Sequence, residues 1–203
     1  MSHVEKVNHR AAWTAKSLTA QSADWIYSLQ PDDIAELDAA MRAIKAKGLV
    51  VPNFNKDDFP LPGLMAHLAK FKEELEFGLG IMLLKGLPIE RYSKDDASII
   101  FWGIGAHLGK PWEQNLRGHL LRDIIDEGRK LEDTAARGYQ TTQHLDFHTD
   151  GSDFVGLICL KQAPVGGEFQ ISSAVAAFNK LADTDPESLQ YLLDTPIPYD
   201  WRG

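Results

Sequence analysis

Cysteine is almost absent from this chain. Cys159 is the single one, so no intramolecular disulfide can form and packing must hold the fold together. Its setting, Val155-Gly156-Leu157-Ile158-Cys159-Leu160, predicts a small buried apolar side chain, and a lone thiol fits a reducing cytoplasm. Long apolar runs are also lacking. No stretch approaches the ~18 residues of a membrane span, and residues 1–20 carry Lys, Arg, Glu and His with no apolar core of signal-peptide length. The expectation is a soluble, unexported protein with no membrane partner. Positive charge is scarce: 21 Lys and Arg against 29 Asp and Glu give a formal net charge of -8. Nucleic acid and anionic lipid both demand a basic face, so a small-molecule substrate is the better expectation. The tryptophans Trp13, Trp25, Trp102, Trp112 and Trp201 are scattered and read as packing residues rather than a base-stacking platform.

What is present is enough for one sizeable core, with 203 residues and 44% hydrophobic content. No repeat, low-complexity tract or long linker divides it, so a single domain over 1–203 is expected, mainly helical over 1–76. Ile34, Leu37, Met41 and Ile44 recur at helical spacing between Pro31 and Gly48, predicting an amphipathic helix over 31–47. A second stripe, Leu64, Leu68, Phe71 and Leu75, predicts another that ends near Gly78. Ile81-Met82-Leu83-Leu84 is a short continuous apolar run that reads as a strand buried on both faces. Ser93-Lys94-Asp95-Asp96 resembles a capping box that opens a helix towards Gly109. Beyond Pro111 the period shortens, and strands are expected over 119–125, 154–160 and 169–172. Helices return over 175–181 and 187–193, the latter opened by Asp185-Pro186. The fold class is α+β.

The chemistry concentrates in Gln143-His144-Leu145-Asp146-Phe147-His148-Thr149-Asp150. On extended backbone, residues two apart share a face, so His148 and Asp150 can converge on one ion; on a helix they would point roughly 200° apart. An imidazole with a carboxylate suits a borderline divalent metal such as Fe(II), and a two-His-one-carboxylate set leaves positions open for substrate and oxygen. The spacing alone is weak, because His144-Leu145-Asp146 repeats it on the same face. The bland reading is a hydrogen-bonded His-Asp pair on a strand. His107 is expected to cap helix carbonyls, and His3 and His9 fall in a terminus expected to be mobile. Gly103 to Lys110 lacks the glycine spacing of a phosphate loop, and Pro111 stands where such a loop needs Ser or Thr.

Ordered motifs add more than any single one. Gly78-Leu79-Gly80-Ile81-Met82-Leu83-Leu84-Lys85-Gly86-Leu87-Pro88, Trp102 to Pro111 with Gln114-Asn115, Arg137-Gly138-Tyr139-Gln140-Thr141 through His148-Thr149-Asp150, then Gly166-Gly167 and Ser172-Ser173 together resemble the TauD/TfdA (taurine dioxygenase-like) family. The resemblance runs from about Trp13 to Gly203. It implies a helical N-terminal region joined to part of a double-stranded β-helix, a jelly roll of the clavaminate synthase type over 77–203 with inserted and C-terminal helices. It further implies an Fe(II)- and 2-oxoglutarate-dependent dioxygenase that hydroxylates a small organic substrate. The family's metal pair falls on His148 and Asp150. Gln114, Asn115 and His144 fall on its substrate side.

The sequence departs from that family in two ways. No histidine follows His148 and only Arg202 follows Asp150 among arginines, so the family's second histidine ligand and its 2-oxoglutarate-binding arginine are not found here. Truncation is the expectation, with open sheet edges that a second copy or a partner chain would cover. Glu168 and Phe169 stand where members often carry a co-substrate hydroxyl, and no such role is assigned. The rival readings are a non-catalytic remnant acting as a binding or assembly module, and a hydrolase or isomerase that uses another metal on the same face.

Overall fold

A computed structural model describes residues 4–115, 117–130, 132 and 138–198. His3, Arg137, Trp201, Arg202 and Gly203, all used above, lie outside the described residues. The chain divides into two compact units, residues 1–110 with 156–202, and residues 111–155.

The first unit is built on three helices. Helix α3 (Pro31–Ala46) follows the short helices α1 (Ala15–Ala20) and α2 (Ser22–Trp25) and the strand β1 (Ile26–Ser28). Pro31 supplies a fixed φ at the start of α3, and the Gln30 N–H donates to the Asp33 carboxylate at 2.8 Å. Gly48, at φ 68°, ends it: the Gly48 N–H reaches the Lys45 carbonyl and the Leu49 N–H reaches Ile44, the paired closure of a left-handed C-terminus. Helix α4 (Met65–Phe77) has no side-chain cap of its own. Glu36 of α3 provides one, its carboxylate accepting from the Gly63 and Leu64 N–H groups at 2.7 and 2.9 Å. Helix α5 (Lys94–Leu108) opens on Ser93, whose Oγ accepts from the Asp96 N–H, and Lys45 of α3 binds the same Asp96.

Leu37, Ala40, Met41 and Ile44 of α3, Leu68 and Phe71 of α4, and Ile99 and Ile100 of α5 close on one core. Phe54, Phe59, Leu61 and Leu64 complete it from the loop between α3 and α4, and Phe59 and Leu61 are fully buried. The loop stays shut because the Trp102 indole donates to the Phe54 carbonyl at 2.9 Å and His107 Nε2 donates to the Phe59 carbonyl at 2.8 Å. His107 therefore closes a distant loop rather than capping its own helix.

The sequence places a strand at 81–84, and the structure forms β2 at Leu83–Lys85, parallel to β1 with Ile26 opposite Leu83 and Ser28 opposite Lys85. It is not buried on both faces: Leu83 is 42% exposed, because the sheet among the described residues has two strands and each is an edge. The strands expected over 119–125, 154–160 and 169–172 form no ladder among the described residues. A strand exists only where a neighbour takes up its N–H and C=O groups, and among the described residues no second strand pairs with these runs. Their apolar residues stand open, with Val155, Leu157, Phe169 and Ile171 all at least half exposed. Cys159 is exposed for the same reason, not buried as its sequence neighbours suggest. Trp112 is exposed as well.

The late helices form as their patterns predict. Helix α6 (Ala174–Thr184) is capped by Ser173, and α7 (Pro186–Asp194) opens on Asp185, whose carboxylate accepts from the Ser188 N–H. Among the described residues no helix is long and apolar enough to cross a membrane.

Candidate functional site

His144, His148 and Asp150 lie in the second unit, residues 111–155. Local hydrogen bonds shape the chain leading to them. The 3-10 turn Gly138–Gln140 is closed by the Thr141 N–H and Oγ1, both donating to the Gly138 carbonyl, and the Gln143 N–H donates to Thr141 Oγ1. Gly138 lies against the Leu145 side chain, where a Cβ would collide with the leucine methyls. Two hydrogen bonds pin this turn to an earlier segment: the Glu127 N–H donates to the Gln140 carbonyl at 3.0 Å, and Gln140 Nε2 donates to Glu127 Oε2 at 2.7 Å.

From Leu145 to Asp150 the backbone is neither helical nor paired as a strand. His148 and Asp150 nonetheless approach each other, with Nε2 3.9 Å from Asp150 Oδ1. That is too long for a hydrogen bond. At metal–donor distances of about 2.0–2.2 Å, neighbouring donors of a facial set stand roughly 3 Å apart, so this pair would have to close by about 1 Å to share an ion. His144 and Asp146 share the sequence spacing, but no such approach joins them among the described residues.

The backbone then decides which imidazole nitrogen is open. His148 Nδ1 lies 2.7 Å from the Asp146 carbonyl oxygen, which can only accept, so Nδ1 carries the proton. In neutral imidazole this leaves the Nε2 lone pair free and facing Asp150, the tautomer that a metal-binding histidine needs. The two side chains are 58% and 55% exposed, and an arriving ion displaces only water. No third His, Cys, Asp or Glu gathers with them among the described residues. An imidazole and a carboxylate are donor types suited to a divalent cation as two ligands of a larger set.

Gln114 and Asn115 occupy a loop held by its own hydrogen bonds. The Gln114 N–H donates to the His119 carbonyl and its Nε2 to the Trp112 carbonyl. Asn115 Oδ1 accepts from the Arg117 and His119 N–H groups, while its Nδ2 donates to His119 Nδ1 at 2.9 Å. A cleft of about 250 Å³ lined by His119, Leu121, Arg122, Asp123, Ile125 and Glu127 opens beside this loop. Neither His148 nor Asp150 lines it. Sequence reading missed the Asp146 carbonyl and the Glu127–Gln140 brace. The first is a backbone group that residue identity does not reveal, and the second joins residues with no periodic relation.

The sequence matches the family described as taurine catabolism dioxygenase TauD, TfdA family, over residues 45–203. It is 33% identical over 198 residues to FR-33289 synthase of Streptomyces rubellomurinus, covering 97% of this chain and 58% of that protein. It is 30% identical over 194 residues to taurine hydroxylase-like protein SAT17 of Stachybotrys chartarum, covering 92% of this chain and 50% of that one. The chain thus spans about half the length of the curated relatives it matches. With the match extending over most of its residues and containing the whole His148–Asp150 segment, the chain belongs to the TauD/TfdA family of dioxygenases.

Proposed function

We propose that this chain acts as an Fe(II)- and 2-oxoglutarate-dependent dioxygenase, or a relative of one, in which His148 Nε2 and the Asp150 carboxylate supply two iron donors for hydroxylation of a small organic substrate. The observation that carries this is the 2.7 Å approach of His148 Nδ1 to the Asp146 carbonyl, which makes Nε2 the ring nitrogen turned towards Asp150. When bound, the iron supplies oxidation: substrate, oxygen and 2-oxoglutarate become hydroxylated substrate, succinate and carbon dioxide. The protein's own groups do the holding. Asp150 offsets part of the cation's charge, and the Asp146 carbonyl fixes the ring's tautomer. His144, exposed four residues earlier, is proposed on the substrate side. Gln114 and Asn115 contribute there through the loop that their amides hold in shape. The family's description as a dioxygenase and the name of one relative, taurine hydroxylase-like protein SAT17, support a hydroxylation, while the acidic balance of the chain favours a small molecule over nucleic acid.

The test is Fe(II)-dependent thermal stabilisation of the purified chain, with succinate release from 2-oxoglutarate and ascorbate as the second readout. His148→Ala is expected to abolish the metal-dependent shift and His144→Ala to keep it. Loss with His144→Ala alone overturns the assignment.

The open apolar residues Val155, Leu157, Phe169 and Ile171 favour a second reading, an assembly module whose unpaired runs are covered by a partner chain or a second copy. Absence of any metal-dependent shift together with concentration-dependent self-association selects it.

A further inference from the structure

Residues 4–12 precede the first helix and carry no apolar pattern, yet the structure ties them down at both ends. Val7 donates its N–H to Asn179 Oδ1 at 2.8 Å and accepts from Asn179 Nδ2 at 2.8 Å. Lys6 Nζ lies 3.0 Å from the Asp183 carboxylate. Asn179 and Asp183, four residues apart, share one face of α6. At the start of α6, Ser173 is buried, and its Oγ caps the helix while donating to the Ala11 carbonyl. On the opposite side, Arg10 bridges Glu74 of α4 at 2.9 Å and Asp24 of α2 at 3.2 Å. His9 shapes the intervening turn, its carbonyl accepting from the Ala12 N–H and its Nδ1 from the Ala11 N–H.

The chemistry of this clasp is unlike that of the core. A side-chain amide that both accepts from and donates to one residue's backbone reads peptide geometry rather than side-chain identity. Its ion pairs are exposed, so each contributes little alone and is weakened by salt. Helix α6 packs on α7, and the clasp ties α6 to Asp24 of α2 and Glu74 of α4 through Arg10. We propose that residues 4–12 form a reversible strap that clasps α6 to the N-terminal helices, and that opening the strap releases the α6–α7 pair.

Trypsin reads the strap directly, because Lys6 and Arg10 lie within it and Lys16 in α1 serves as an internal reference. In Asn179→Ala, cleavage after Lys6 and Arg10 is expected to quicken about tenfold relative to Lys16, through loss of both backbone hydrogen bonds. Amide exchange should rise in α6 while that of α3 stays unchanged. Asp183→Lys should also speed cleavage after Arg10, and the double variant Lys6→Glu/Asp183→Lys should slow it again by restoring the ion pair. An unchanged cleavage ratio in Asn179→Ala, exchange rising as much in α3 as in α6, or a double variant cut as fast as the single one overturns the strap.

Discussion

Gly103 sits where α5 passes over the Phe59 ring, and a Cβ at that position would run into the ring carbons. Phe59 is fully buried and its loop is held by two hydrogen bonds, so the ring has little room to yield. Gly103→Ala is therefore expected to destabilise the chain by about 1–3 kcal/mol, read as a lower urea midpoint with an unchanged slope. Asp38 is a second such point. Only 8% exposed, it takes the Arg91 guanidinium at 3.0 Å and the Tyr92 hydroxyl at 2.7 Å. Burial, then the bond to Asp38, pushes the Tyr92 hydroxyl up to about 12; burial, then the bond to Asp33, does the same for Tyr27. Raised values mean the folded state favours the protonated phenols. Their contribution is whole below about pH 10, where unfolded tyrosine titrates, and is lost as pH climbs towards 12. Urea midpoints should fall across that window, and the double variant Tyr27→Phe/Tyr92→Phe should flatten the fall.

Among the elements, α4 depends on another helix for its start. Glu36 of α3 satisfies two N–H groups there, so Glu36→Ala is expected to cost about 1 kcal/mol and to raise amide exchange at Gly63 and Leu64 before other sites. Helix α5 carries its own cap at Ser93, and Asp96 beside it is held below its usual carboxylate range by Lys45 first and Ser93 second. A depressed value contributes stability above the unfolded carboxylate range and loses it as pH falls, so Lys45→Met should lessen the acid sensitivity of urea unfolding. The helices were legible beforehand for a physical reason. Ile34, Leu37, Met41 and Ile44 announce a buried face, and Pro31 and Gly48 announce its ends, all within one short stretch of chain. The runs at 119–125, 154–160 and 169–172 carry strand composition, but pairing depends on a neighbour that composition does not supply.

For the molecule as a whole, the sequence by itself determined the longer helices, the family, and the His-x-Asp spacing that nominates two donors. Each of these is written in residues close together or in an ordered series of motifs. Only the tertiary structure decided that Phe59 and Leu61 of an irregular loop lie at the centre of the core, that Cys159 faces solvent, and that Val7 answers to Asn179 across the length of the chain. It also placed the His148 ring against the Asp146 carbonyl and, among the described residues, brought His148 but not His144 to within 4 Å of the carboxylate two residues on. The division follows from the range of the forces. Periodicity and capping act over a turn or two of backbone, whereas burial, tautomer and long-range hydrogen bonds depend on groups that meet only once the chain has folded.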